Sequence, residues 1–236
     1  MPGAGLEDRV LASLDAVNPG GVLTDGLGHG TQMSLGASGL IRPLGADRED
    51  ASTNPLIPIR AFDDNGMTSN FNLLRSIDFA IQNGARVMSL SWGTETRSRF
   101  LEEAMEYAEA KNLLVVASAG NEPTGKPVYP AAYASVLGVG ALKPDGTAWE
   151  QSNFGDFVSL AAPGFANLPV GYQDEPGAYA STSIAAAFVA NAAAQHMQNN
   201  PNVSQEEVKR FLESRFPTYG PNRTDGQPDH SRKPAK

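Results

Sequence analysis

Three short segments hold side chains suited to acyl and proton transfer. The chain has three histidines. His29 stands in Gly28-His29-Gly30-Thr31, after a Gly-rich loop and before a run of small residues. Its flanking glycines let another group approach closely and leave the imidazole accessible. An ordinary loop histidine beside a turn accounts for the same residues. Ser183 lies in Ser181-Thr182-Ser183-Ile184-Ala185-Ala186. If this segment opens a helix, free N–H groups and the helix dipole there favour developing negative charge. An N-cap is the plainer reading, and any of the three hydroxyls could be that cap. Asn121, in Ala119-Gly120-Asn121-Glu122, follows an apolar run, where an amide can donate to an oxyanion. Gly-Asn is also an ordinary turn pair. His196, late in a buried-looking helix, and His230, in a polar tail, read as structural or solvated.

The surrounding pattern tells which elements must position these groups. Val10–Leu14, Leu56–Phe62, Val87–Trp92, Leu113–Ser118, Val136–Leu142 and Phe157–Ala161 read as strands. Thr31–Leu40, Asn70–Asn83, Ser98–Lys111 and Thr182–Gln198 read as helices. Phe71, Leu74, Ile77 and Ile81 recur at helical spacing, and Gly84 sits where a C-terminal glycine cap belongs. Ser204 with Glu207 predicts a capping box for a last helix through Ser214. Alternation of strands and helices predicts an α/β fold. It has three layers, with helices on both faces of a mostly parallel sheet. Ligands then bind at the carboxyl ends of the strands. Residues 1–216 are expected to form one domain, and residues 217–236 a polar, mobile tail.

Composition removes several classes of function. The chain has 236 residues, 18 Lys plus Arg against 26 Asp plus Glu, and a net charge of −8. That balance argues against a nucleic-acid surface, which needs clustered basic residues. Cysteine is absent, so thiolate catalysis, disulfides and Cys-based metal sites are excluded. Apolar runs such as Leu113–Ala117 fall far short of the ~20 residues that span a bilayer, so no membrane association is expected. The first residues, Met1-Pro2-Gly3-Ala4, show no signal-peptide pattern. Asp63-Asp64-Asn65-Gly66 is faintly calcium-like but too short, and reads as a turn. No metal site and no cofactor are expected.

Taken together and in order, the motifs resemble the subtilisin-like serine proteases, the subtilase family, over roughly residues 6–215. His29-Gly30-Thr31 with Gly36 resembles the segment carrying the family's catalytic histidine, and Asp25 fits its usual acidic position there. Ala119-Gly120-Asn121-Glu122 resembles the segment of the oxyanion-hole asparagine, and Thr182-Ser183-Ile184-Ala185-Ala186 that of the nucleophilic serine. Ser91-Trp92-Gly93 is similar to the edge that pairs with substrate backbone. Val128-Tyr129-Pro130-Ala131 resembles the bottom of the primary specificity pocket, and Ala161-Ala162-Pro163-Gly164 the stretch before the serine helix. The resemblance implies peptide hydrolysis through an acyl-enzyme. His29, Asn121 and Ser183 would carry the chemistry. Ser91, Trp92, Gly93, Ala117, Ser118 and Val128 would contact a peptide or protein substrate. Val128 would shorten the pocket and favour small side chains beside the cleaved bond. The resemblance also implies secretion, although location is not legible in the residues themselves.

Departures from the family pattern shape the expectation. The family's catalytic aspartate ends its first strand in an Asp-Ser/Thr-Gly turn, which does not occur here. By the resemblance, that strand belongs before Met1. Three explanations stand: an N-terminally truncated chain, one piece of a split enzyme, or substitution by Asp15 or Asp8. The predicted outcome is a protease scaffold with little or no activity. A non-catalytic peptide- or partner-binding module of the same fold is the alternative, and a sugar or lipid hydrolase a weaker one. The family's first strand lies inside the sheet, so its loss would leave two neighbours unpaired. Something would then fill the gap: a segment of the same chain, a segment swapped from a second copy to give a homo-oligomer, or an N-terminal fragment. Around the nucleophile, Ser181 replaces the usual Gly, and Ala187 and Phe188 replace the usual Pro and His.

Overall fold

The computed structural model describes residues 5–46, 54–169 and 175–218. Its centre is a four-stranded parallel sheet of Val87–Leu90 (β3), Leu114–Ser118 (β4), Val136–Leu142 (β5) and Leu160–Pro163 (β6), in that spatial order. Val87 registers with Leu114, Val115 with Val136, and Val139 with Leu160. Every residue of β4 and β5 is buried. Continuous apolar runs are what a sheet covered on both faces requires. The strand alternation sorts them: Leu114 and Val116 face one helix layer, Leu113, Val115 and Ala117 the other.

The first layer is Thr182–Asn199 (α4) with Gln205–Arg215 (α5). It brings Ala186, Val189, Ala193, Val208 and Leu212 against the sheet. The small side chains of α4 allow it to be buried nearly all round. The second layer is Asn70–Gln82 (α2) and Arg99–Ala110 (α3), through Leu73, Ile77, Met105 and Ala108. Ser69 and Ser98 cap these helices by accepting from the N–H groups of Asn72 and Leu101. The Ser204–Glu207 capping box forms as predicted. The three-layer α/β expectation therefore holds. Phe71 and Leu74 differ from it: both are exposed, and the buried stripe of α2 is Leu73, Ser76, Ile77 and Ala80. The sheet chooses the stripe, and Phe71 instead lies under the Arg75 guanidinium at 4.5 Å.

Leu14–Asp15 (β1) and Ile59–Arg60 (β2) form a separate parallel pair. Among the described residues no ladder joins β2 to β3. A cavity of about 910 Å³ lies between them. It reaches from Leu73 and Ile77 of α2 through the plane of the sheet to Ala190 and Ala194 of α4. The Ser89 and Ser91 hydroxyls beside it are buried without a hydrogen-bond partner.

Phe165–Leu168 (β7) and Gly177–Ala180 (β8) form an antiparallel pair that the sequence reading did not foresee. Its strands pair across an intervening stretch, so neither carries a local hairpin signal. β6 starts later than expected, because Phe157 lies in a turn closed by the Val158 N–H to Gly155 O bond. Pro217 and Thr218 run beside β6: the Ala161 N–H donates to Pro217 O at 2.8 Å, and Thr218 bridges Leu160. The rest of the polar tail, with His230, lies outside the described residues. Asp63-Asp64-Asn65-Gly66 is a turn, in which the Asp63 carboxylate accepts from the N–H groups of Asn65 and Met67.

Candidate active site

His29 is the first residue of helix His29–Ala37 (α1), not a loop residue before it. Gly28 makes this start possible, with φ at +74°, a conformation that L side chains rarely adopt. Gly28 has no capping side chain, and Asp25 supplies the cap from outside. Its Oδ2 accepts from the Thr31 N–H at 2.6 Å and from the Thr31 hydroxyl at 2.7 Å. A carboxylate there also suits the positive end of the helix dipole. Asp25 is thus committed to the helix start.

Helix α1 packs along α4. A methyl group on Gly36 would stand 3.3 Å from Ala187 Cβ. The buried Asn191 amide donates to Ala37 O at 2.9 Å, and Asn54 Nδ2 donates to Asn191 O at 3.0 Å. Gln32 and Met33 share a small cavity with Ile184. These contacts follow the same order along both helices, so the helices run in the same direction. His29, the first residue of α1, and Ser183, the second of α4, lie at the same end. No hydrogen bond joins the two side chains among the described residues.

Asn121 follows β4 and reaches the start of α4. Its Oδ1 accepts from the Thr182 N–H and the Thr182 hydroxyl, both at 2.9 Å. Thr182 Oγ1 in turn accepts from the Gly120 N–H at 3.2 Å. The Thr182 N–H can only donate, so its bond fixes which end of the Asn121 amide is oxygen. Nδ2 therefore points toward Ser181 Oγ, which also accepts from the Ser183 N–H.

The loop holding Asn121 is tied down by Asn153, which sequence reasoning missed. Asn153 is buried and uses its whole side chain. Nδ2 donates to Ala119 O and Lys126 O, and Oδ1 accepts from the N–H groups of Gly125 and Phe154. No local sequence signal marks this role, because its partners come from another loop.

Ala117 and Ser118 are buried at the carboxyl end of β4. Val128 stands between two glycines. A methyl group on Gly93 would overlap Val128 Cγ1, and one on Gly120 would stand 3.5 Å from Val128 Cγ2. Val128 thus joins the Ser91–Gly93 segment to the loop of Asn121. That segment is fixed further by paired bonds between Thr94 and Tyr129, and Trp92 leans on Phe62 at 5.4 Å between ring centroids. His29 and Ser91 both border the cavity between β2 and β3.

No carboxylate is bonded to His29 among the described residues. Asp8 is exposed in a 3-10 turn, Glu7–Arg9. Asp15 is buried at the end of β1, where Oδ2 meets Arg60 Nη1 at 3.0 Å and Oδ1 accepts from the N–H groups of Val17 and Asn18. Burial pushes its carboxyl up, but the Asn18 N–H and Arg60 outweigh it and hold the group below the ordinary carboxylate value. His196 stacks on Phe211 at 4.0 Å, far from these groups in the fold. Among the described residues no group of three or more His, Asp or Glu side chains could hold a metal ion. No helix there is long and apolar enough to cross a membrane.

The sequence profile of Peptidase S8, the subtilase family, matches residues 12–231. Subtilisin Savinase from Lederbergia lenta is 32% identical over 200 residues, covering 83% of this chain and 72% of the relative. An alkaline protease from Shouchella clausii is also 32% identical over 200 residues, but the match spans 83% of this chain and only 51% of that protein. A solved cold adapted subtilisin-like serine proteinase shares the fold at a TM-score of 0.75 and 23% identity, over 94% of this chain and 79% of the other. A lanthipeptide protease does so at 0.72 and 21%, over 88% of this chain and 74% of the other.

Proposed function

The chain belongs to the subtilase family of serine proteases, and on that premise we propose that it is a serine endopeptidase scaffold whose reaction is carried by His29, Asn121 and Ser183. The observation that supports this best is the convergence of two donors at the start of α4. The Ser183 N–H and Asn121 Nδ2 aim at one point, 2.9 and 3.4 Å away respectively. That is the arrangement needed to hold a tetrahedral oxyanion. Ser183 Oγ attacks the scissile carbonyl while His29 takes its proton. His29 then gives the proton to the leaving amine, and water releases the acyl group by the same route. Substrate lies extended along Ser91, Trp92 and Gly93, held by main-chain hydrogen bonds. Ala117, Ser118 and Val128 wall the pocket beside the cleaved bond, and Val128 favours small side chains there.

Activity in this chain is weak, because Asp15 and Asp25 serve β1 and α1 while His29 has no carboxylate partner among the described residues. Without one, the imidazole tautomer and the imidazolium are unsupported. The established figure for removing that carboxylate from subtilisin itself is on the order of 10⁴-fold in kcat. A fluorogenic-peptide assay on the 236-residue chain tests the reading. Slow turnover abolished by Ser183→Ala is expected. Turnover at the rate of a complete triad would sink the weak-activity reading, and turnover indifferent to Ser183→Ala would sink the nucleophile. The unpartnered His29 favours a second reading, a non-catalytic peptide-binding module. It predicts retained peptide binding with no Ser183-dependent turnover.

A further inference from the structure

The point where the two oxyanion donors meet is already taken by a side chain of this protein. Ser181 is the N-cap of α4 in an extended conformation, with φ −168° and ψ 147°. Its Oγ accepts from the Ser183 N–H at 2.9 Å and stands 3.4 Å from Asn121 Nδ2. The Thr182 N–H fixes the Asn121 amide in this orientation. The amide nitrogen thus faces Ser181 by necessity of the surrounding bonds and not by choice of rotamer.

We propose that the Ser181 hydroxyl is a built-in competitor for the oxyanion site, so that it restrains the reactivity of Ser183. The proposal rests on the acyl-transfer reading above. Two oxygens cannot both sit about 3 Å from the same N–H along its bond direction. A substrate carbonyl oxygen therefore reaches these donors only after Ser181 Oγ swings away. That rotation gives up the N-cap bond of α4, which a substrate must offset before it gains anything from the site.

The test is the rate of labelling by a fluorophosphonate. In that reaction the Ser183 Oγ–P bond forms as the P–F bond breaks. Fluoride leaves, the hydroxyl proton passes to His29, and the phosphoryl oxygen draws on the same two donors. Ser181→Gly and Ser181→Ala remove the competitor, and the extended backbone at Ser181 suits either residue. Both should label faster than the parent chain by between about three- and tenfold, the factor that loss of one cap bond corresponds to. Ser181→Thr keeps a hydroxyl and should label like the parent.

Thermal unfolding separates this role from plain helix capping. A cap alone predicts that Ser181→Ala lowers Tm and does not speed labelling. The competitor predicts that Tm falls while labelling rises. Labelling equal to or slower than the parent in both Ser181→Gly and Ser181→Ala overturns the competitor and leaves the nucleophile in place. Absence of labelling in every variant overturns the nucleophile and the competitor together.

Discussion

Asn153 shows how a single buried amide can hold the loop that carries Asn121. All four hydrogen bonds of its side chain go to the backbone of residues 119–126 or to its own neighbour Phe154. Replacing it with Ala would leave Ala119 O, Lys126 O and the N–H groups of Gly125 and Phe154 without those partners. Asn153→Ala should cost about 2 kcal/mol, read as a lower urea midpoint at unchanged m-value. A loss under about 0.5 kcal/mol, the size of an ordinary surface substitution, would show that the loop is held by something else. Residues of this kind are silent in the sequence. Asn153 meets Gly125 across 28 positions, and Ser181 meets Asn121 across 60. His29, Asn121 and Ser183, in contrast, are embedded in local strings of glycine and small residues that advertise a tight turn or a helix start.

At the scale of elements, the β1–β2 pair rests on an ion pair as much as on its short ladder. Asp15 joins Arg60, and Arg60 reaches on to Asp64 at 2.8 Å. The Asp15 carboxyl is held below its ordinary value of 3.8. A depressed carboxylate stabilises the fold fully above the unfolded value, and that contribution is lost as pH falls through the folded value. Acid titration of stability should therefore show a loss beginning below about pH 4 that Asp15→Asn removes. An identical acid limb in the parent and Asp15→Asn would mean that the pair adds nothing to the fold. Helix starts were legible because each has a local mark: Ser69, Ser98 and Ser204 all cap where a hydroxyl precedes a periodic run. The sequence pattern puts the start of α1 two residues late, at Thr31 instead of His29. Its cap is Asp25, four residues before the helix, and the left-handed Gly28 makes the corner.

At the scale of the whole molecule, the described residues leave a gap in the sheet beside His29. Strands β2 and β3 both line a cavity that passes from one helix layer to the other and borders His29. An extended segment, apolar on both faces, suits that space. A carboxylate at its end would give His29 a partner that it does not have among the described residues. A synthetic peptide of about eight residues, apolar and ending in Asp, should raise Ser183-dependent turnover when added to the chain. The same peptide ending in Asn should bind without doing so. No gain with either peptide would remove the strand-acceptor reading. If a second copy provides the segment by swapping, sedimentation will show a dimer; a stable, fully folded monomer excludes that source.

The layered α/β architecture was legible in the sequence, because hydrophobic periodicity and capping residues are local and mark where each element lies. Local strings of glycine and small residues also mark where His29, Asn121 and Ser183 stand, at two helix starts and after a strand end. Packing between distant segments settled which partners these side chains found. It tied Asp15 to Arg60, left no ladder between β2 and β3 among the described residues, and placed the Ser181 hydroxyl against the Ser183 N–H and Asn121 Nδ2. A hydrogen bond or ion pair goes to whatever group lies within about 3 Å. For Asp15 with Arg60 and Ser181 with Asn121 that group is 45 and 60 positions away, and only packing brings it near. Asp25 meets Thr31 just six positions on, but needs the left-handed corner at Gly28 to do so.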